Sequence, residues 1–188
     1  MSYTTQIDAA KKGIFTKQMA DVLKEEKHIN KEWLMERVAN GRIAIPANKN
    51  HINLIGKGVG DGLLTKVNVN LGVSEACNNM EMEIDKVRNA INLKADAIMD
   101  LSIFGDTRAF RRRLVEESPV MLGTVPMYDA VAKLGKNIKD MSVDDLFRVT
   151  EEHMIDGIDF LTIHAGLNRT CVERVQKNPR LTHIVSRG

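Results

Sequence analysis

The sequence predicts an α/β fold organised on a parallel sheet. From residue 63 onward, short apolar runs alternate with helical stretches, as strands joined by crossover helices do. Aromatic residues are 4% of the 188, so aliphatic and methionine side chains must fill the core. Such a core suits close-packed α/β layers better than a β-sandwich. With 43% hydrophobic residues and four prolines, the composition is that of a folded domain. Residues 1–62 read as a helical N-terminal segment and loop, and 63–188 as the sheet domain.

From Ile7 to Gly41 the pattern is helical. Thr16 is placed to cap a helix with Met19, Val22 and Leu23 on its apolar face, and Asn30 to cap another carrying Leu34, Met35 and Val38 before Gly41 ends it. Arg42 to Gly62 is rich in Gly and Asn and reads as a short strand and a long surface loop, either functional or a connector. Strands are then predicted over Thr65–Asn70, Ala95–Leu101, Val120–Val125, Ile158–Ile163 and Leu181–Val185. The helices between them cover Glu81–Leu93, Thr107–Glu116, Tyr128–Leu134, Val143–Asp156 and Arg169–Lys177. In the Val143 helix, Ser142 and Asp145 form a capping-box-like pair, and Val143, Leu146, Phe147, Thr150 and Met154 lie along one stripe. Five such strands fit a doubly wound sheet or the first five of an eight-stranded barrel. An ending directly after an apolar strand, without a closing helix, suggests a fragment.

The charge balance, 27 basic against 25 acidic residues for a net +2, argues against a polyanion partner, and the scarcity of aromatics argues against stacked nucleic-acid bases. Met1 to Lys12 has no apolar core of signal-peptide length, and no run approaches the roughly 18 apolar residues of a membrane span. A cytoplasmic protein with no membrane and no nucleic-acid partner is therefore expected. Cys77 and Cys171 form no Cys-x-x-Cys, so neither a zinc nor an iron–sulfur ligand set is read from them.

Candidate chemistry gathers where predicted strands finish in polar groups: Asn68 and Asn70, Asp100 and Ser102, Thr124, Thr162 and His164, Ser186 and Arg187. In parallel sheets these carboxyl ends are where ligands are held. His164 leaves its strand before Ala165-Gly166, with room for a ligand, and is read as a contact rather than a packed histidine. Tyr128, just after Pro126, is balanced between a donor to a ligand and an anchor for its helix. Met99 reads as strand packing. Ser186-Arg187-Gly188 combines a hydroxyl, a guanidinium fork and an unhindered backbone N–H, the needs of a phosphate. The glycines at 56, 58, 60 and 62 match no nucleotide-binding pattern and precede a strand. Arg111-Arg112-Arg113 and Glu151-Glu152-His153 are expected to be solvated helix faces.

Taken in order, Ile45-Pro46-Ala47-Asn48, Thr65-Lys66-Val67-Asn68-Val69-Asn70, Met99-Asp100-Leu101-Ser102, Gly123-Thr124-Val125-Pro126-Met127-Tyr128, Thr162-Ile163-His164-Ala165-Gly166 and Val185-Ser186-Arg187-Gly188 resemble the phosphomethylpyrimidine synthase family, the ThiC enzymes of thiamine biosynthesis. The resemblance covers nearly the whole chain from about Ile43. It implies a (βα)8 TIM-type barrel, of which this chain holds about five strands. The implied lyase chemistry is a radical S-adenosylmethionine rearrangement of 5-aminoimidazole ribotide to 4-amino-5-hydroxymethyl-2-methylpyrimidine phosphate. Asn70, Met99, Tyr128, His164, Ser186, Arg187 and Gly188 match the family's substrate-binding positions, which reassigns Met99 from packing to the site. His164 is also the candidate for a proton shuttle.

Two departures from the family pattern matter. Ser102-Ile103-Phe104-Gly105 replaces the small Ser-Thr-Gly-Gly turn and raises the paralogous 5-hydroxybenzimidazole synthases, which use the same substrate. The resemblance also implies S-adenosylmethionine, a 4Fe-4S cluster, zinc and a homodimer, yet the family's zinc histidines and three-cysteine motif are absent from these 188 residues. On that reading the chain alone would not cleave S-adenosylmethionine. A non-catalytic partial barrel, binding a phosphosugar or a partner chain, is the competing expectation.

Overall fold

The structure, a computed structural model, describes residues 2–135 and 137–182. Three capped helices begin the chain: α1 (Gln6–Lys11), α2 (Lys17–Glu25) and α3 (Lys31–Ala39). The Thr16 hydroxyl accepts the Met19 N–H at 3.2 Å and the Asn30 amide oxygen accepts the Trp33 N–H at 2.9 Å. Each such cap satisfies a helix-end donor and is worth about 1 kcal/mol. The three helices bury Ala9, Met19, Val22, Leu34 and Val38 against Ile43 and Ile45. Ile43–Ala44 (β1) pairs antiparallel with Val59–Gly60 (β2), so the glycine-rich stretch read as a loop contributes a second strand.

The rest is βα. Asn68–Leu71 (β3), Ala97–Asp100 (β4), Met121–Thr124 (β5) and Phe160–Leu161 (β6) form one parallel sheet in the order β3-β4-β5-β6. The intervening helices are α4 (Met80–Asn92), α5 (Thr107–Glu117), α6 (Pro126–Leu134) and α7 (Val143–Ile155), with a 3-10 turn at Ile138–Asp140 and α8 (Arg169–Lys177) after β6. Spatial order follows chain order without the reversal that defines a doubly wound sheet. Crossovers of one hand then stack the helices on a single face. Leu71, Ile98 and Leu122 pack there against Ile84 and Val87 of α4 and Phe110 and Leu114 of α5. On the opposite face Ala97 and Met121 pack under Leu54, with Ala47 and Phe160 alongside.

That second face is closed at one end by the Asn48–Ile55 segment. Asn48 donates through its side chain to the Met154 and Ile158 carbonyls at 2.7 and 2.9 Å, and its backbone N–H reaches Asp159 at 2.8 Å. His51 bonds Asp159 at 2.7 Å and the Ser118 carbonyl at 2.8 Å. Carboxylate and carbonyl only accept, so both ring nitrogens must donate and His51 is an imidazolium. Burial alone would lower its pKa, but Asp159 outweighs that and raises it. The segment is thus a plug held by a buried ion pair, not a free surface loop.

Several expectations need correction. β3 begins at Asn68 rather than Thr65, and β6 is two residues long, paired only through Gly123 and Thr124. Leu181 and Thr182 lie in a turn, and the remainder of the expected strand to Val185 lies outside the described residues. On α7 the buried residues are Asp145, Val149 and His153, while Val143, Phe147 and Met154 of the expected stripe are exposed. Gly157 follows the helix end in a left-handed conformation at φ +106° that favours glycine.

Candidate functional site

The register lays out the site. Asn70, Met99, Gly123 and Phe160 are direct partners across four strands, forming one row on the face away from the helices. Gly123 leaves the space that the Phe160 ring fills: a Cβ there would lie 2.3 Å from a ring carbon. At the carboxyl ends, Thr162 donates to the Met99 sulfur at 3.7 Å, and the Asn68 amide donates to the Asn70 oxygen at 2.9 Å. Tyr128 lies in the first turn of α6, which opens at Pro126 because a missing N–H costs nothing there. His164 follows β6, and the two rings meet with centroids 5.3 Å apart, tilted by 43°.

Four of the expected contacts are therefore gathered at one end of one face: Asn70 and His164 exposed, Met99 and Tyr128 half-buried. Ser186, Arg187 and Gly188 lie outside the described residues. Among the described residues the face is open rather than enclosed. One groove, of about 540 Å³, is lined by Arg88, Ile91, Asn92, Glu117 and Pro119, and none of the candidates lines it.

Asp100, Ser102 and Thr124, expected to join the site, instead turn toward the helices and are buried. Asp100 accepts both the N–H and the hydroxyl of Ser102, whose oxygen receives the Val73 N–H at 3.0 Å. Burial drives the Asp100 carboxyl up to about 6 against these hydrogen bonds and the nearby Arg111 charge. Two expected surface groups are also internal, Arg111 at 1% and His153 at 2% exposure. Arg111 donates to Asp129 at 3.2 Å and to Asp156 at 2.9 Å. His153 bridges the Thr124 hydroxyl and the Asp129 carboxylate at 2.8 Å on each side. Since the carboxylate only accepts, Nε2 carries a proton, and in the neutral ring Nδ1 accepts from Thr124. Burial pushes Asp129 up, but His153, Thr107 and Arg111 outweigh it and hold it at about 2.

A threonine, a histidine and an aspartate in a hydrogen-bonded line resemble a hydrolytic triad. Thr124 is 1% exposed, however, leaving no approach for a substrate, so the line is structural. A signal for Arg111 exists in the sequence: with Thr107, Phe110 and Leu114 it falls on the buried stripe of α5. The metal groups implied by the resemblance do not fit the described residues. No group of three or more His, Cys, Asp or Glu side chains among them could hold a metal ion, and the Cys171 thiol donates to the Gly166 carbonyl.

Residues 5–188 match the family described as Radical SAM ThiC. Phosphomethylpyrimidine synthases of Clostridium perfringens (strain 13 / Type A) and Clostridium tetani (strain Massachusetts / E88) are each 57% identical over 188 residues, all of this chain, covering 43% and 41% of those proteins. The phosphomethylpyrimidine synthase of Clostridioides difficile (strain 630) is 53% identical over the same 188 residues, 43% of its length. The chain thus spans less than half the length of these relatives.

Proposed function

Since the chain belongs to the Radical SAM ThiC family, we propose that it is the ribotide-binding portion of a phosphomethylpyrimidine synthase, folded as the first strands of a (βα)8 barrel behind a helical segment of residues 1–62. The reading rests on the row that brings Asn70 and Met99 level, with Tyr128 against His164 at the same strand ends. A flat imidazole suits the face of Met99 and the Tyr128–His164 pair, and the neutral amide of Asn70 suits a ring nitrogen or a sugar hydroxyl. Ser186, Arg187 and Gly188 offer the donors an anionic phosphate needs. His164 is the group able to hold or move a proton. The rearrangement requires S-adenosylmethionine and an iron–sulfur cluster by family. Because the described residues offer no ligand set for the cluster, the role assigned to this chain is to bind and orient the substrate.

The test is equilibrium binding of 5-aminoimidazole ribotide to this chain, followed by His164→Ala, Tyr128→Ala and Asn70→Ala. Saturable binding weakened about tenfold or more by each variant is the expected result, since each removes a contact worth more than 1.4 kcal/mol. Wild-type affinity in all three refutes the site.

Synthesis of 5-hydroxybenzimidazole is a second reading, favoured by Ser102-Ile103-Phe104-Gly105, which follows Met99 closely and presents an exposed Phe104. Anaerobic product analysis with a cluster-bearing chain present separates pyrimidine from benzimidazole.

A further inference from the structure

The buried line behind the strand ends joins the same elements that carry Tyr128 and His164. Tyr128 precedes Asp129 in the first turn of α6, and Thr124 ends β5 just before that helix. His153 lies on α7, and its carbonyl receives the Ile158 N–H at 3.1 Å, at the entry to β6 and so to His164. The Thr124 carbonyl in turn receives the Thr162 N–H at 2.9 Å. Thus Thr124 and His153 each connect both to α6 and to the strand leading to His164.

The start of α6 needs such a connection, for its N-cap, Val125, has no side-chain hydrogen bond to offer. Asp129 supplies the fixing instead. It is 3% exposed and accepts from Thr107 and Arg111 of α5 and from His153 of α7. Arg111 is itself locked by Asp156, which also accepts from Arg108 and Arg112. Lys133 and Glu152 also join α6 to α7, but they do so late in α6 and near the surface. A rigid polar network of this kind specifies one arrangement, whereas apolar packing tolerates several.

The geometry points to Asp129, His153 and Thr124 as positioning residues that set the Tyr128 ring against His164 and so fix the ribotide subsite. This inference rests on the substrate-binding reading above. It predicts that breaking the line rotates Tyr128 away without touching any proposed contact.

The test uses the 188-residue chain and the His164 ring-proton NMR signal, assigned by its loss in His164→Gln. The ring-current displacement imposed by Tyr128 is the difference between the parent and Tyr128→Leu. Asp129→Asn and the milder Thr124→Val are expected to lose most of that displacement and to weaken aminoimidazole ribotide binding about tenfold or more. His153→Gln, whose amide can still join Thr124 to Asp129, retains it. Ile84→Val, a cavity in the helix–sheet core, lowers stability and leaves it unchanged. An intact displacement in folded Asp129→Asn or Thr124→Val overturns the inference, as does equal loss in Ile84→Val. Failure of the parent to bind the ribotide would refute the proposed function and leave the ring-current comparison standing.

Discussion

Replacing Asp100 by asparagine should shift stability in the variant's favour progressively as pH rises. Asp100 sits 6% exposed at the end of β4, and burial lifts its carboxyl from an ordinary 3.8 to about 6. A carboxyl whose folded value lies above its unfolded value costs stability once the pH passes the unfolded value, and the cost is complete above the folded one. The rise corresponds to about 3 kcal/mol at pH 8 and about 0.5 kcal/mol at pH 4. Asparagine keeps the oxygen that accepts the Ser102 N–H and hydroxyl but never ionises. Any penalty for burying its new N–H group is the same at both pH values, so the slope is the diagnostic. Urea unfolding followed by far-ultraviolet circular dichroism, at intervals from pH 4 to 8, should show the difference between variant and parent growing by about 2.5 kcal/mol with an unchanged m-value. A difference that stays constant across that range, or shrinks, refutes the reasoning.

Gly123→Ala puts a methyl 2.3 Å from the Phe160 ring and should cost about 1–3 kcal/mol, most of it recovered when Phe160 is also changed to Leu; a double-mutant cycle without coupling would contradict the contact. The His51–Asp159 pair works through a raised imidazole pKa, so its stabilisation is full below the ordinary histidine value of about 6.5 and is lost as pH rises through the higher folded value. Stability should therefore fall from pH 6 toward mild alkali in the parent and lose that component in His51→Gln, read by the same denaturation series.

Local chemistry was legible where it is decided locally. Thr16, Asn30 and Ser142 cap their helices as read, because a cap is a bond between residues three apart. Asn70 and His164 could be placed at strand ends from the βα rhythm, whereas Met99 read as packing and Tyr128 as undecided until the family resemblance drew them in, and the face all four share depends on a register no single strand contains. The interior polar network was not legible. Arg111 was read as solvated because its neighbours in sequence are arginines, while its partners Asp129 and Asp156 lie two and three elements further on. On α7, hydrophobicity pointed the wrong way: the face turned inward carries Asp145 and His153, and the apolar Phe147 is left exposed. Charge pairing across helices reverses the usual rule for which side is buried, and only the fold reveals the pairs.

The level row across β3, β4, β5 and β6 bears on how such a site could change over evolutionary time. Strand spacing of roughly 4.8 Å fixes the distance between successive stations, whatever happens in the loops. Each station is followed by its own helix and turn, so one can be revised without moving its neighbours. Ser102-Ile103-Phe104-Gly105 lies in such a turn, just beyond Met99, where a change in side chains would leave Asn70 and Met99 paired across the ladder. If the proposed site is right, a scaffold of this kind lets substrate range drift one strand end at a time, under backbone geometry that selection need not rebuild.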